Sequence, residues 1–227
     1  MSLRHFRFYA GQHGAEHRLS TDNFFGFSFE QAPDSNHNSA ACLSKLRPLF
    51  DPEFDQYDKV LIVDVDVLIK NFRKNIFPQC TKDIAGVTYL VPPQVCLGAV
   101  REDLPAERYG PELGLRGFCI SGGMMILSRE FRIQARRLFT RPDPEQYRTD
   151  ENYYMQQIVS PEEVQQLDFR WNFNCRLIPH FEHPYFVHFP GRMKRYMPEY
   201  YHNTTITLAP EDEVPLDDKY KQKSNAR

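Results

Sequence analysis

No apolar run in this chain approaches the ~20 residues needed to cross a bilayer. The N-terminus, with Arg4, His5 and Arg7 among its first residues, lacks the apolar core of a signal peptide. A cytoplasmic chain without a membrane span is expected. Charge of one sign is also missing: 28 Lys and Arg against 30 Asp and Glu leave a net charge of −2. That balance gives no reason to expect nucleic acid or an anionic membrane as partner. Cysteines are few, and Cys42, Cys80, Cys96, Cys119 and Cys175 are odd in number, widely spaced and without a Cys-x-x-Cys pair. Neither a disulfide framework nor a thiolate zinc site is indicated, and a reducing compartment is the simplest inference. Without a secretory signal, the sequon Asn203-Thr204-Thr205 reads as accidental. No internal repeat or linker interrupts the chain, and nothing in it sets an oligomeric state. What is present is a globule of 227 residues, 41% hydrophobic and 14% aromatic, below the ~250 residues beyond which chains tend to split. One domain over residues 1–208 is expected, followed by a charged tail over 209–227.

The most informative stretch runs from Tyr57 to Ile69. Val60 to Val63 are four consecutive apolar residues, as in a central strand buried on both faces. Asp64 and Asp66 follow, with Val65 between them, and Val67-Leu68-Ile69 continues the apolar run. In an extended chain, residues two apart point to the same side, so the two acids can converge at the strand end. Two adjacent carboxylates in a dry setting repel, and a divalent cation offsets that. The competing reading is a turn-forming Asp, because Asp-x-Asp alone arises often by chance.

Around that stretch the pattern alternates. Leu3 to Ala10 reads as a first strand, followed by a loop from Gly11 to Ser20. Phe24 to Phe29 reads as a second strand. Ser39 to Phe50 has helical spacing at Ala40, Leu43, Leu46 and Leu49, with Asn38 or Ser39 as cap. Ile84 to Tyr89 is a strand signal, and Pro92 to Leu115 has no periodicity, as in a lid or binding loop. Gly117 to Gly123 leads into a buried strand at Met124 to Leu127, its glycines serving close backbone approach or a bulge. Glu130 to Thr140 is expected as a surface helix, and Asp150 to Ile158 as another capped by Thr149 or Asp150. Ser160 to Glu163 opens a short helix, Leu167 to Asn174 holds the only tryptophan, and Phe186 to Phe189 is a last strand before the basic turn Pro190 to Tyr196.

The order of these motifs resembles nucleotide-sugar-dependent glycosyltransferases of the GT-A fold, most closely glycosyltransferase family 8. Tyr57 to Leu68 is similar to the family's Asp-x-Asp strand, Ile120 to Met124 to its Asn-Ser-Gly-Val strand, and Asp150-Glu151 to its Asp-Gln helix start. Trp171-Asn172 matches its Trp-Asn segment. His188, Gly191 and Lys194 match its closing His-x-x-Gly-x-x-Lys, with Arg195-Tyr196 where Pro-Trp is usual. The likeness spans Ser39 to Tyr196.

The resemblance implies an α/β fold of GT-A (Rossmann-like) type, a single domain with a mainly parallel mixed central sheet flanked by helices. It implies Mn²⁺ or Mg²⁺ held by Asp64, Asp66 and His188, and a donor nucleotide sugar with uridine favoured. Acceptors would be a glycan, a protein or a small molecule. Donor contacts would come from Val65, from Ser121, Gly122 and Gly123, and from Gly191 and Lys194, with Arg192 and Arg195 assisting. Lys45 or Arg47 would also reach the donor, and Tyr9, Ala10 and Gly11 would lie near the base. Asp150 and Glu151 would work near the anomeric carbon of a retaining enzyme. Ile120 replaces the family's asparagine, and Glu151 is a carboxylate where an amide is usual, able to stabilise or attack an oxocarbenium-like centre. The bland alternative is that acids in a first helical turn merely complement the helix dipole.

Three other readings compete. A haloacid dehalogenase-like phosphohydrolase would use Asp64 as nucleophile and Asp66 as general acid, but its final acidic pair would fall at Asp217-Asp218, in a polar tail. A sugar-binding module without turnover would keep the fold. Zinc held by His180, Glu182, His183 and His188 rests on a spacing that histidine-rich loops produce by chance.

Overall fold

The computed structural model describes residues 2–20, 24–26, 39–90, 118–142, 151–175, 183–203 and 207–209. In chain order the helices are α1 (Ser2–Gln12), α2 (Ser39–Ser44), α3 (Arg47–Phe50), α4 (Arg129–Leu138), α5 (Glu151–Ile158) and α6 (Met197–His202). The strands are β1 (Lys59–Val63), β2 (Val67–Ile69), β3 (Ile84–Leu90), β4 (Phe118–Ser128), β5 (Val164–Gln166), β6 (Phe173–Asn174) and β7 (Phe186–His188). The architecture is mixed α/β. None of the described helices is long and apolar enough to cross a membrane. The chain gathers into two compact units, one from Met1–Arg18, Val63–Ile76 and Asp168–Arg227, the other from Leu19–Ile62 and Phe77–Leu167. The expected second strand is not seen where the chain is described: Phe24 and Phe25 form a turn ending at Gly26 with φ +71°, and Phe27 to Phe29 lie outside the described residues, as do the Pro92 to Leu115 excursion and the tail from Pro210.

The second unit holds a sheet in the order β1-β4-β3-β5, with β3 antiparallel to β4 and parallel to β5. The expectation that β1 is central is therefore corrected: among the described strands it lies at an edge, and of its five residues only Ile62 is fully buried. A four-residue apolar run cannot distinguish a central strand from an edge strand whose outer face is partly covered. The glycines before Met124 serve a bulge. Gly86 pairs with Met125 and Thr88 with Ile120, so Ser121 to Met124 stand opposite Val87 alone and the ladder opens there. Gly86 itself is needed for close approach, since a Cβ there would lie 2.9 Å from Ile120 Cγ2.

Leu43, Leu46, Leu49 and Phe50 pack with Ile84, Leu127 and Tyr154 in this unit's core. The single helix expected over Ser39 to Phe50 is two short ones. Pro48 lacks the N–H that a continuous helix would bond to Ser44, so the chain breaks at Lys45-Leu46 and Pro48 enters the first turn of α3. α4 is capped by the Ser128 hydroxyl, which accepts from the Phe131 N–H. Its burial departs from the expected surface helix: Phe131, Arg132 and Ala135 are buried, whereas Leu138 is exposed. The Arg132 guanidinium donates to the carbonyls of Leu127, Phe54 and Tyr57, satisfying backbone acceptors that would otherwise be stranded away from water.

The first unit holds a sheet in the order β2-β7-β6. Val67, Leu68 and Ile69 lie antiparallel to His188, Val187 and Phe186, and β6 runs parallel to β7. Leu68, Phe173, Val187, Phe189, Met193 and Tyr200 form its core. The expected first strand, Leu3 to Ala10, is instead the helix α1, lying against β2. His5, Tyr9 and His13, four apart, mark the inner helical face that the alternation of Phe6 and Phe8 concealed. The His5 ring packs against Phe72 and Tyr201. Tyr9 Oη donates to the Lys74 carbonyl at 2.8 Å and accepts from the Ile76 N–H at 3.0 Å, and burial pushes its pKa up to about 12. His13 Nε2 meets the Phe72 carbonyl at 2.9 Å.

Two outcomes follow from this packing. Gly86→Ala is expected to lower stability by ~1–3 kcal/mol, the usual cost of overpacking. Because Ile120 is the obstacle, the same change in an Ile120→Ala background should cost far less, as a double-mutant cycle of melting curves checks. The second outcome concerns pH. Burial, assisted by the Lys70 charge, lowers the pKa of His5 below 6.5, so the unfolded chain binds a proton there that the folded chain refuses. Stability should then fall as pH drops below 6.5. Urea titrations across that range should show a shallower decline in His5→Phe, and an unchanged slope would remove His5 as a contributor.

Candidate metal centre and a buried ion pair

The two acids converge by a route different from the one expected. β1 ends at Val63, and the next residues form a turn closed by the Val67 N–H donating to the Asp64 carbonyl at 3.2 Å. Val65 stands exposed at its tip, and Val67 to Ile69 belong to the following strand, not to a continuation of the first. The extended-chain argument for Asp64 and Asp66 is therefore corrected, because a turn brings their carboxylates together. Ser2 of α1 helps hold that turn, its hydroxyl donating to the Val65 carbonyl at 2.5 Å. No sequence signal connects positions so far apart.

The pairing of β2 with β7 brings in the histidine. Val67 lies opposite His188, and the Phe189 N–H donates to the Asp66 carbonyl at 2.9 Å, which fixes the end of β7 beside the turn. Gly191 then opens a 3₁₀ turn, Gly191–Tyr196, at φ +58°, a conformation that a side chain would disfavour. Met193 is buried and anchors that turn, while Lys194 reaches back to Asp66. His188 Nε2 lies 3.4 Å from Asp66 Oδ1, and Lys194 Nζ lies 3.2 Å from Asp66 Oδ2.

Asp66 is 7% exposed, and its buried Oδ1 has no well-aligned hydrogen bond beyond the long contact with His188. Burial alone would raise its pKa. His188 and Lys194 outweigh that and hold the carboxyl below its ordinary range. Ligand atoms of Asp64, Asp66 and His188 all lie within 4.8 Å of one another. Two carboxylates and an imidazole suit Mn²⁺ or Mg²⁺ better than a thiolate-seeking metal, and a buried, poorly satisfied acceptor is what a cation would engage. These residues fit such an ion.

The remaining candidates are distributed as follows. Tyr9 and Ala10 are buried in the inner face of α1, and Gly11 is in its last turn, so the strand-and-loop arrangement that assigned them to a base is absent. Arg192 and Arg195 are exposed on the 3₁₀ turn, with Arg195 donating to the Tyr196 hydroxyl. Asp150 lies outside the described residues, as do His180 and Glu182 of the zinc alternative.

The second unit contains a separate polar group. Lys45, at the break between α2 and α3, donates to Glu151 Oε1 at 2.7 Å and to the carbonyl of Gly122 at 3.2 Å. The side chains are 15% and 4% exposed, so this is a buried ion pair at the start of α5, set against the bulge that contains Ser121, Gly122 and Gly123. Arg47, the other candidate of that segment, is engaged by Asp51 and Glu53.

No family model and no curated protein matches the sequence. Among solved structures, the chain is similar to the apo WbbM bifunctional glycosyltransferase, at 15% identity and a TM-score of 0.46 over 82% of this chain. It spans 38% of that protein's length. It is also similar to a glycosyltransferase involved in glycosylation of the major capsid of PBCV-1, at 14% identity and a TM-score of 0.48, covering 87% of this chain and 90% of that one. Mouse xyloside xylosyltransferase 1 in its apo form matches at 15% identity and a TM-score of 0.36, covering 70% of this chain and 66% of that one. At TM-scores below 0.5, function has to be read from the residues themselves.

Lys45→Met should strand the Glu151 charge and destabilise the protein by ~3 kcal/mol, the cost of breaking a buried pair. Adding Glu151→Gln should restore part of that loss. A melting-temperature cycle in which the two changes simply add would show that the pair is not coupled.

Proposed function

We propose that the protein is a glycosyltransferase that moves a sugar from a nucleoside diphosphate sugar, UDP-linked, to an acceptor hydroxyl of a glycan, a protein or a small molecule, with retention of anomeric configuration. The observation that carries this reading is the convergence of Asp64, Asp66 and His188 around a buried carboxylate, their ligand atoms all within 4.8 Å of one another. The collinear motifs of the sequence supply the reaction class.

When bound, Mn²⁺ or Mg²⁺ would act as a Lewis acid toward charge developing on the departing diphosphate. The chain's own residues do the rest. Asp64, Asp66 and His188 present two oxygens and one nitrogen. Lys194 offers an exposed ammonium suited to a phosphate oxygen, on a turn whose backbone direction Gly191 sets. Glu151, ion-paired with Lys45, would serve to stabilise positive charge at an anomeric carbon. In this reading the bulge at Ser121 to Gly123 keeps side chains small beside a sugar.

The phosphohydrolase reading is not favoured. It asks Asp64 to attack from the end of a central strand, whereas Asp64 belongs to a turn shared with Asp66 and β1 lies at an edge among the described strands.

Calorimetric titration with UDP, with and without Mn²⁺, tests the proposal on the wild type and on Asp66→Ala. Binding should require Mn²⁺ and weaken at least ~10-fold in the variant, since even residues that only orient metal ligands are worth that much. Failure of UDP, GDP and other nucleoside diphosphates to bind the wild type would sink it, and a phosphatase assay on small esters would come next.

A further inference from the structure

We infer that Lys194 links the cation and the diphosphate: it occupies Asp66 when neither is bound, opposes the cation alone, and gives way when an anion is supplied. The inference rests on the metal-dependent reading above. Its ground is an asymmetry in one contact. The Asp66 side chain is fixed, 10% exposed and hemmed by His188, whereas the Lys194 side chain is 60% exposed and reaches Oδ2 from solvent at 3.2 Å. A buried carboxylate requires a counter-charge, and the ammonium supplies one. The other oxygen, Oδ1, has only the His188 ring nitrogen beside it, at 3.4 Å and poorly aligned, so the lysine only partly substitutes for an ion.

A divalent ion on Asp66 would stand against the ammonium at close range, and like charges at such a distance repel strongly where water is scarce. Two outcomes relieve this. The lysine can swing into solvent, forfeiting its contact with Asp66, or it can take a phosphate oxygen. The first makes the metal bind weakly by itself, and the second makes metal and diphosphate strengthen each other. By linkage, each must raise the affinity of the other by the same factor. Lys194 can make that exchange because its backbone does not need to move: Met193 stays buried and anchors the turn.

The expected sign is opposite to that of an ordinary ligand-contact residue. Lys194→Met should bind Mn²⁺ in the absence of nucleotide at least ~3-fold more tightly than the wild type, while the enhancement of Mn²⁺ affinity by UDP should shrink about 10-fold, within the usual range of coupling factors. Lys194→Arg, which keeps the charge, should leave Mn²⁺ alone weakly bound. Calorimetry, or electron paramagnetic resonance of free Mn²⁺, reads all three proteins, with Asp66→Ala as the control for the site. Mn²⁺ affinity that is unchanged or weaker in Lys194→Met, with UDP binding still dependent on Mn²⁺ in the wild type, overturns the coupling and leaves the metal-dependent reading standing. If neither wild type nor Lys194→Met binds Mn²⁺, both fall together.

Discussion

A carboxylate taken out of water must be met by opposite charge, by hydrogen bonds or by a metal, and the first unit is arranged around one such group. Asp66 sits in a four-residue turn whose tip is tied to α1 through Ser2 and whose carbonyl receives the Phe189 N–H. The register of β2 on β7 delivers His188 to it, and the glycine at positive φ directs the following turn so that Lys194 arrives from the solvent side. Remove the requirement to hold that carboxylate and these features lose their common reason. Most are backbone contacts, so the geometry of the acids is set by strand register and helix placement more than by the acids themselves.

The second unit meets the same problem differently. Glu151 is as deeply buried as Asp66, and its counter-charge, Lys45, is itself largely enclosed. That pair is fixed, its lysine also spent on a backbone carbonyl of the β4 bulge. Asp66 instead faces the His188 ring on one oxygen and, on the other, a lysine whose side chain is 60% exposed. The contrast separates a charge built to stay in place from one built to change partners.

The grouping of Asp64, Asp66 and His188 was legible in the sequence, although not for the reason first apparent. Asp64, Asp66 and His188 do lie within ligating reach of one another, but the acids meet through a turn where an extended strand was expected. Asp-x-Asp flanked by apolar residues reads the same whether one strand continues or two strands meet at a turn. Periodicity failed for α1 because Phe6 and Phe8 imitate a strand, while its real inner face is marked by His5, Tyr9 and His13, whose polar atoms seek partners inside the unit. The edge position of β1 among the described strands was illegible because an apolar run reports burial, not neighbours. Ser2 and the commitment of Lys45 to Glu151 depend on contacts between residues far apart in sequence, and no local pattern encodes those.

The Lys45 pairing bears on the departure at Glu151, where the resembling family has an amide. An amide at a buried helix start needs no counter-charge. A carboxylate there does, and its first-turn position alone supplies only a partial positive dipole end on a helix of eight residues. Lys45 makes up the difference, reaching it at 2.7 Å from a helix break that Pro48 imposes. Charge, break and bulge therefore belong together: the break exposes the lysine to Glu151, and the opened ladder at Ser121 to Met124 leaves the Gly122 carbonyl free to share its ammonium. A carboxylate already paired with a cation in this way is arranged to face positive charge.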